Sequence, residues 1–473
     1  MTARALPDAA EVLAGLWRDG GLPAQALERV RLHGTEPVLP SSFALGTALA
    51  SGVAAAALAA VEVGRLRGGA TQTVEVGLLD AALESACHFT LDGRTPAMWD
   101  KLSGLYPCGG AAGAAPGHVR LHANFAHHRD GALALLGLPP GALTERAAVA
   151  DALRRWPAEA FESAAAARGL VAAALRTPEQ WRAHPQAAAV AALPRVDIER
   201  IADAPPRALP PIAPHAPPLQ GLRVLELTRI LAGPVAGRTL AAHGADVLLL
   251  NSPRLPNIEA LAETSRGKLS AHVDLDSEAG RNTLRELARG ADIFLQAYRP
   301  GSLDRRGFSA AQLASLAPGI VCVSLSAYGH AGPWHDRRGF DSLVQTATGL
   351  NVAEAVALGG EQPRALPVQA LDYGAGFLLA FGALAARWRQ AHEGGSWRVR
   401  VSLAGVGHWL QGLGRLPAAT WPAPDFSRVM ELGASGFGTL AAVRHAARLS
   451  HSAVGYARPA MPPGSHPAAW PAR

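Results

Sequence analysis

The chain has 473 residues, of which 49% are hydrophobic and 17% charged, a composition that excludes a disordered, acidic or fibrous protein. Its 44 basic and 38 acidic residues give a net charge of +6, but the arginines are scattered and form no patch with aromatic residues, so we expect no nucleic-acid partner. Cys87, Cys108 and Cys322 form no CxxC pair. We therefore predict no disulfide framework, no metal site and a reducing, cytoplasmic location.

The N-terminal segment, residues 1–21, does not have the pattern of a secretory signal. It contains Asp8 and Glu11 and lacks an apolar run followed by a small-residue cleavage site. The longest uncharged stretch, residues 40–61, is rich in Ala, Gly and Ser, and alanine contributes little to membrane insertion. We predict that this stretch is a buried helix and that the protein has no membrane partner.

A Pro-rich segment divides the chain. Residues 205–220 contain seven prolines in sixteen residues, which excludes a helix interior or a central strand. The predicted organisation is therefore an N-terminal half (1–204), a linker (205–220), a main domain (221–410) and a C-terminal tail segment (411–473).

The region after the linker alternates between strand and helix patterns. Short β-rich runs predict strands at 221–227, 245–250, 269–275, 292–296 and 320–326. The segments between them predict helices at 234–243, 278–289 and 310–316. Such alternation is typical of an α/β fold with a parallel sheet flanked by helices.

The chain also contains an internal repeat. Residues 52–78 and 376–403 each comprise an apolar helix, a basic turn, a Gly-Gly pair and a short alternating strand ending in Leu. The N-terminal half therefore contains a second copy of a unit that also follows the linker.

Two acids stand before apolar helices, and each has two interpretations. Asp341 and Asp372 could each be an N-cap, or a carboxylate that the helix dipole keeps ionised for nucleophilic attack. The sequence contains no GxSxG, HExxH or GxxxxGK[ST] motif and no GxGxxG after the first strand of the main domain. These absences disfavour the common hydrolase, phosphate-loop and dinucleotide-binding classes.

Six segments in order, from Gly221 to about Leu410, resemble the class III coenzyme A transferase family. They read GLRVLELTRILAGPVAG, HGADVLLLNSP, SRGKLSAHVDL, ADIFLQAYRPGSLDRRGF, GIVCVSLSAYGHAGPWHDRRGFDSLVQTATGL and VQALDYGAGFLLAFGALAA. The resemblance implies a Rossmann-like large domain with a parallel sheet, a smaller α/β domain and interlocked subunits. It also implies transfer of CoA from an acyl-CoA to a small carboxylic acid, with no cofactor beyond coenzyme A itself.

Residue by residue, the resemblance puts the family's nucleophile on Asp372, in DYGAG, where it would pass through an anhydride and a thioester. The family's second acid corresponds to Asp341, whose role stays open. The positions that contact CoA correspond to Lys268, Tyr298, Arg305 and Arg338. Cations suit the phosphates of CoA and an aromatic ring suits its adenine.

The sequence departs from the family in ways that leave alternatives open. Asn251 and Ser252 replace the usual Glu and the residue after it. Racemases of the family carry a His before the second acid, where this chain has Phe340, which cannot transfer a proton. A racemase and a non-catalytic CoA-binding protein are the alternative functions.

The N-terminal half resembles the later part of the family from residue 52 to about residue 195, including a Gly-rich loop at 109–117. At the position of the nucleophile it has Gly46 or Thr47, so this copy is predicted to lack one. A homodimer and an intramolecular pseudo-dimer both remain open, as does whether this half completes the active site.

Overall fold

The computed structural model describes residues 8–111, 115–417, 421 and 424–472. Six of the seven strands of its largest sheet follow the linker. The strand order is β10, β9, β8, β11, β12, β13, β7, with all neighbours parallel except β7, which is antiparallel to β13. The strand order reverses between β8 and β11. The strands are β7 (Asp197–Ala202), β8 (Arg223–Leu227), β9 (Asp246–Asn251), β10 (Lys268–His272), β11 (Ile293–Gln296), β12 (Val321–Ser326) and β13 (Ser396–Ser402).

Local sequence explains why these elements form. The run DVLLLN of β9 is apolar because parallel strands are covered on both faces. Ser277 begins α11 by accepting the Gly280 N–H at 3.0 Å, and Ser309 begins α12 with a capping box. The predicted strands and helices of this region are confirmed, with shifts of one to three residues at most ends. The helices are α9 (Ala232–Ala242), α10 (Leu261–Thr264), α11 (Glu278–Arg289), α12 (Ala310–Leu316), α13 (Asp341–Ala347), α14 (Leu350–Ala357), α15 (Ala370–Glu393) and α16 (Leu403–Gly412).

The first half of the chain contributes a long core helix and several short elements. Helix α2 (Leu45–Arg65) is long and apolar enough to cross a membrane, yet its apolar window is completely buried inside the protein, as predicted for a core helix. The other elements are α1 (Ala9–Gly20), β1 (Val30–His33), β2 (Val74–Gly77), α3 (Leu78–Glu84), β3 (Phe89–Leu91), β4 (Gly104–Cys108), β5 (Gly117–Leu121), α4 (Ala126–Leu135), α5 (Arg146–Leu153), α6 (Ala158–Ala167), β6 (Ala172–Ala174), α7 (Pro178–Ala183) and α8 (Pro185–Ala191).

The two repeated units, α2–β2 and α15–β13, pack on each other. Helix α2 lies along α15, and a Cβ added to Gly52 would lie 3.2 Å from the Cβ of Phe377, so small residues permit this close approach. Each unit's strand has one parallel and one antiparallel neighbour: β1 and β16 flank β2, while β12 and β7 flank β13. Because β7 comes from the first half and β16 (Ala447–Leu449) from the end of the chain, each half of the chain adds a strand to the sheet of the other.

Residues 411–473 are integrated into the fold. They form β14 (Met430–Ser435), β15 (Gly438–Val443) and β16 (Ala447–Leu449), with β15 pairing with β3 and β16 with β2. The linker is also held in place, since the Arg67 guanidinium donates to the carbonyls of Pro210, Pro218 and Gln220 at 2.6–3.3 Å. Residues 1–7 of the N-terminal segment and 112–114 of the Gly-rich loop lie outside the described residues.

Candidate active site

The carboxylate of Asp341, in α13, accepts hydrogen bonds from the first turn of another helix, α15. Asp341 is the first residue of α13, and its buried Oδ2 accepts the N–H groups of Leu371 and Asp372, at 2.8 and 3.0 Å, in the first turn of α15. Gln345 donates to the other oxygen, Oδ1. Phe340, not Asp341, is the N-cap of α13, so the N-cap interpretation of Asp341 is wrong for its own helix. The carboxylate satisfies the unpaired amides of α15.

Asp372 is the third residue of α15 and lies against Asp341. The N-cap of α15 is Gln369, so Asp372 is not an N-cap either. Burial and the adjacent Asp341 charge raise the pKa of Asp372 well above its usual range, although the helix N-terminus favours the ionised form. Burial also raises the pKa of Asp341 to about 6, against the opposing effect of its hydrogen bonds. The two carboxyl groups therefore titrate as a pair.

A cavity of about 440 Å³ opens at the carboxyl ends of the parallel strands. Residues that follow β8, β9, β10, β11 and β12 line it, including Ile230, Ser252 and Tyr298. The cavity includes the point where the strand order reverses, which is where ligands bind in open α/β sheets. Phe340 and Leu403 form the part of the lining beside the start of α13 and the end of β13.

Positive charge dominates this cavity. Six arginines and two aspartates, Asp274 and Asp276, line it. Asp276 pairs with Arg306 at 2.7 Å. Because the arginines of the lining outnumber its aspartates, the cavity has an excess of guanidinium groups. A cavity of this kind suits an anion with several phosphate groups. The arginines are Arg229, Arg254, Arg299, Arg306, Arg337 and Arg338.

The first half of the chain forms one wall of the same cavity. Phe125, His127 and His128 line it, and the ring of His122 stacks on that of Phe340 with centroids 4.1 Å apart. Burial lowers the pKa of His128 to about 3 and that of His122 to about 4, so both rings are neutral at pH 7. The described residues contain no group of three or more His, Cys, Asp or Glu that could hold a metal ion.

Comparison with known proteins agrees with this geometry. Residues 219–428 match the family model of CoA-transferase family III. This segment of the chain is therefore similar to CoA-transferase family III. The chain is 35% identical over 219 residues to the acetyl-coenzyme A transferase nodX of Hypoxylon pulicicidum, covering 45% of this chain and 37% of that protein.

Two further relatives of the transferase segment cover similar shares of this chain. The probable fatty acyl-CoA transferase Rv3272 of Mycobacterium tuberculosis is 34% identical, covering 42% of this chain and 54% of that protein. A crystal structure of a CaiB/BaiF family protein from Brucella suis is 26% identical, covering 47% of this chain and 65% of that one, with a TM-score of 0.38. The chain thus spans about half or less of the length of these first curated relatives.

The CoA-contacting positions expected in a family III transferase are only partly in the cavity. Tyr298 and Arg338 line it, and Arg338 also donates to the carbonyl of Gly169, in the first half, at 2.6 Å. Arg305 is exposed and does not line the cavity, whereas its neighbour Arg306 does.

Lys268, also predicted to contact CoA, does not line the cavity and is paired within the fold. Its ammonium group is buried and bonds the carboxylate of Glu226 at 2.8–2.9 Å and the carbonyl of Pro234 at 2.8 Å. A lysine that is paired in this way, and is 1% exposed, has no face left for a ligand in the transferase cavity. This geometry gives no support for the predicted contact with CoA, which stays a prediction.

Several lining residues of the transferase segment are absent from the sequence prediction. Arg229 and Arg299 lie just after β8 and β11, so the rule that ligands bind at strand carboxyl ends could have found them. Asn251, which replaces the family's usual Glu, ends β9 and lines the cavity with its side-chain amide buried. Phe125 and His128 gave no such signal because they reach the cavity only through the packing of the two halves.

Proposed function

We propose that the protein transfers CoA from an acyl-CoA donor to a carboxylic acid acceptor, with Asp372 as the nucleophile. The observation that carries this proposal is the buried Asp341–Asp372 pair, because Phe340, the residue before Asp341, lines the arginine-rich cavity at the carboxyl edge of the sheet. The family of residues 219–428 and the names of their relatives support the same reaction. The pair supplies a carboxylate, and the cavity supplies binding for a phosphorylated leaving group.

In the proposed first step, a carboxylate oxygen of Asp372 attacks the thioester carbonyl of the donor. The C–S bond breaks, CoA leaves as a thiolate and a mixed anhydride remains on Asp372. The thiolate then attacks the aspartyl carbonyl of the anhydride, which releases the donor acid as a carboxylate and leaves Asp372 as a CoA thioester. The acceptor carboxylate attacks that thioester, and the released thiolate attacks the acceptor carbonyl, giving the new acyl-CoA and free Asp372.

The protonation of the pair sets when the first step can occur. Asp341 accepts hydrogen bonds from two backbone amides and Gln345, which favour its ionised form. Because these bonds favour ionised Asp341, a single proton shared by the pair is held mainly by Asp372. Asp372 must lose that proton before it can attack, which makes the step faster as the pH rises.

Trapping the covalent intermediate tests the proposal. The enzyme is mixed at pH 8 with a panel of acyl-CoAs, quenched with hydroxylamine and digested for mass spectrometry. We expect a hydroxamate on Asp372 for the donors that also support CoA exchange with free acids, while Asp341 stays unmodified. An unmodified Asp372 in enzyme that exchanges CoA would contradict the mechanism. Exchange of the acyl α-proton in D2O without CoA exchange would favour the racemase alternative.

The proposal includes the first half as the substitute for a partner subunit, in a cytoplasmic monomer. Phe125 and His128 from this half line the cavity, and β7 and β16 cross between the two units, which supports a complete site within one chain. The free thiols of Cys87, Cys108 and Cys322 fit a reducing compartment. If the proposal holds, light scattering should give the active enzyme the mass of one chain.

A further inference from the structure

Strand β5 of the first half places a cation beside the acid pair. Arg120 lies on this strand, and its Nε donates to Oγ1 of Thr346, in α13, at 2.8 Å. Two residues later, on the same face of the chain, His122 stacks on Phe340. The first half thus contacts α13 on both sides of Asp341 in sequence.

Arg120 is linked to Asp341 by a chain of hydrogen bonds. The Thr346 hydroxyl donates to Oδ1 of Asn351 at 2.7 Å, and Asn351 Nδ2 donates to Oε1 of Gln345 at 3.2 Å. Gln345 in turn donates to Asp341. The Arg120 charge also lowers the pKa of Asp341 against the effect of burial, and burial lowers the pKa of Arg120 itself. The guanidinium is therefore within electrostatic reach of the pair.

The proposed reaction creates a charge problem at this point. An acceptor acid must bring its own carboxylate to Asp372, next to the Asp341 charge, in a buried place where like charges repel strongly. The arginines of the cavity are expected to bind the CoA phosphates at that moment. Among the described residues, the hydrogen bond of Arg120 uses Nε, and the Nη1 and Nη2 fork has the geometry that binds a carboxylate with two parallel bonds.

We propose that Arg120, from the half of the chain that lacks a nucleophile, binds the carboxylate of the acceptor acid. This assignment rests on the proposed function and deepens it, because it names the residue that receives the second substrate. The guanidinium, which already interacts with the Asp341 charge, would offset the approach of a third negative charge to the pair.

The two half-reactions separate this role from a structural one. Formation of the Asp372 adduct from acyl-CoA alone needs no acceptor, so in Arg120→Gln its rate should fall far less than the rate of the acceptor half-reaction. The pH profile of adduct formation should shift upward, because the Arg120 charge no longer lowers the pKa of Asp341. The KM for the acceptor acid should rise by about tenfold or more, because a charge-assisted pair is lost. Arg120→Lys keeps the charge without the fork and should give an intermediate KM.

The matched control is Arg168→Gln, which changes an exposed arginine of the same half whose side chain donates a hydrogen bond to the Ala164 carbonyl at 3.4 Å. Thr346→Val removes the Nε hydrogen bond and keeps the guanidinium, so it should raise the KM less than Arg120→Gln. An unchanged acceptor KM in Arg120→Gln, or an equal loss in both half-reactions for Arg120→Gln and Arg120→Lys, would overturn the assignment. Failure of the unmodified enzyme to form any adduct would instead contradict the proposed function.

Discussion

The starts of helices α2 and α15 are built alike, yet only one is fit for chemistry. At α15, Asp341 accepts the N–H of the third helical residue, Asp372, at 3.0 Å. At α2, Glu36 accepts the N–H of the third helical residue, Thr47, at 2.7 Å. In both places a carboxylate from a preceding segment satisfies amides that the helix leaves unpaired. Thr47, one of the two positions predicted to replace the nucleophile, is thus the structural counterpart of Asp372.

The difference separates a structural task from a catalytic one. A carboxylate that holds a helix start stabilises the fold wherever it stands, and Glu36 does so without any reactive neighbour. The start of α2 is also filled: a Cβ on Gly46 would lie 2.5 Å from Val38 Cγ2 and 3.3 Å from the Leu78 side chain. Near the start of α15, by contrast, Phe340, the residue before Asp341, lines the arginine-rich cavity. Chemistry therefore needs the second carboxylate and the open space together.

The largest difference is expected between substitutions of the third residue of α15 and of the third residue of α2. Asp372→Asn keeps the size of the side chain but removes the nucleophile, so we expect CoA exchange to fall by about a thousandfold or more. Thr47→Ala changes the equivalent position at α2 and should leave the rate within about twofold. Steady-state exchange rates with one donor and one acceptor measure both. Comparable losses in the two variants would show that α2 also takes part in catalysis.

The next effect is the dependence of stability on pH. Burial raises the pKa of Asp341 to about 6 and that of Asp372 well above 3.8, so the folded protein keeps protons that the unfolded chain releases. The stability contributed by the pair is complete below pH 4 and is lost as the pH rises through the folded pKa values. Raising the pKa of Asp341 from 3.8 to about 6 corresponds to about 3 kcal/mol in the free energy of unfolding.

We therefore expect Asp372→Asn to be more stable than the unmodified protein, with a gain in Tm that grows between about pH 4 and pH 8 and reaches about 2–5 °C. The pKa of Glu36 is also raised by burial, but the group is only partly buried, so Glu36→Gln should give a smaller gain. Differential scanning fluorimetry across this pH range measures both. A gain for Asp372→Asn that does not change with pH would contradict the titration of the pair.

Local sequence signals predicted the fold better than they predicted the site. Helices α11 and α12 were predictable because their caps and apolar positions are neighbours in sequence. The family motif pointed to Asp372. The hydrogen bonds from Asp341 to α15 span about thirty residues, and the pairing of Lys268 with Glu226 spans 42, so neither follows from a local pattern. Arg120 reaches α13 only because the two halves pack together.

The smallest effect tests whether position in the arginine-lined cavity, and not the sequence motif alone, decides which arginine binds CoA. Arg338 lines that cavity, so Arg338→Ala should weaken CoA binding by about 1–2 kcal/mol, with a smaller loss at high salt. Arg305, equally expected from the family resemblance, is exposed and outside the lining, so Arg305→Ala should leave the Kd within about twofold. Titration calorimetry with CoA at two salt concentrations compares them. A larger loss in Arg305→Ala than in Arg338→Ala would mean that the phosphates lie outside this cavity, and the contrast between the two helix starts would then rest on Asp372 alone.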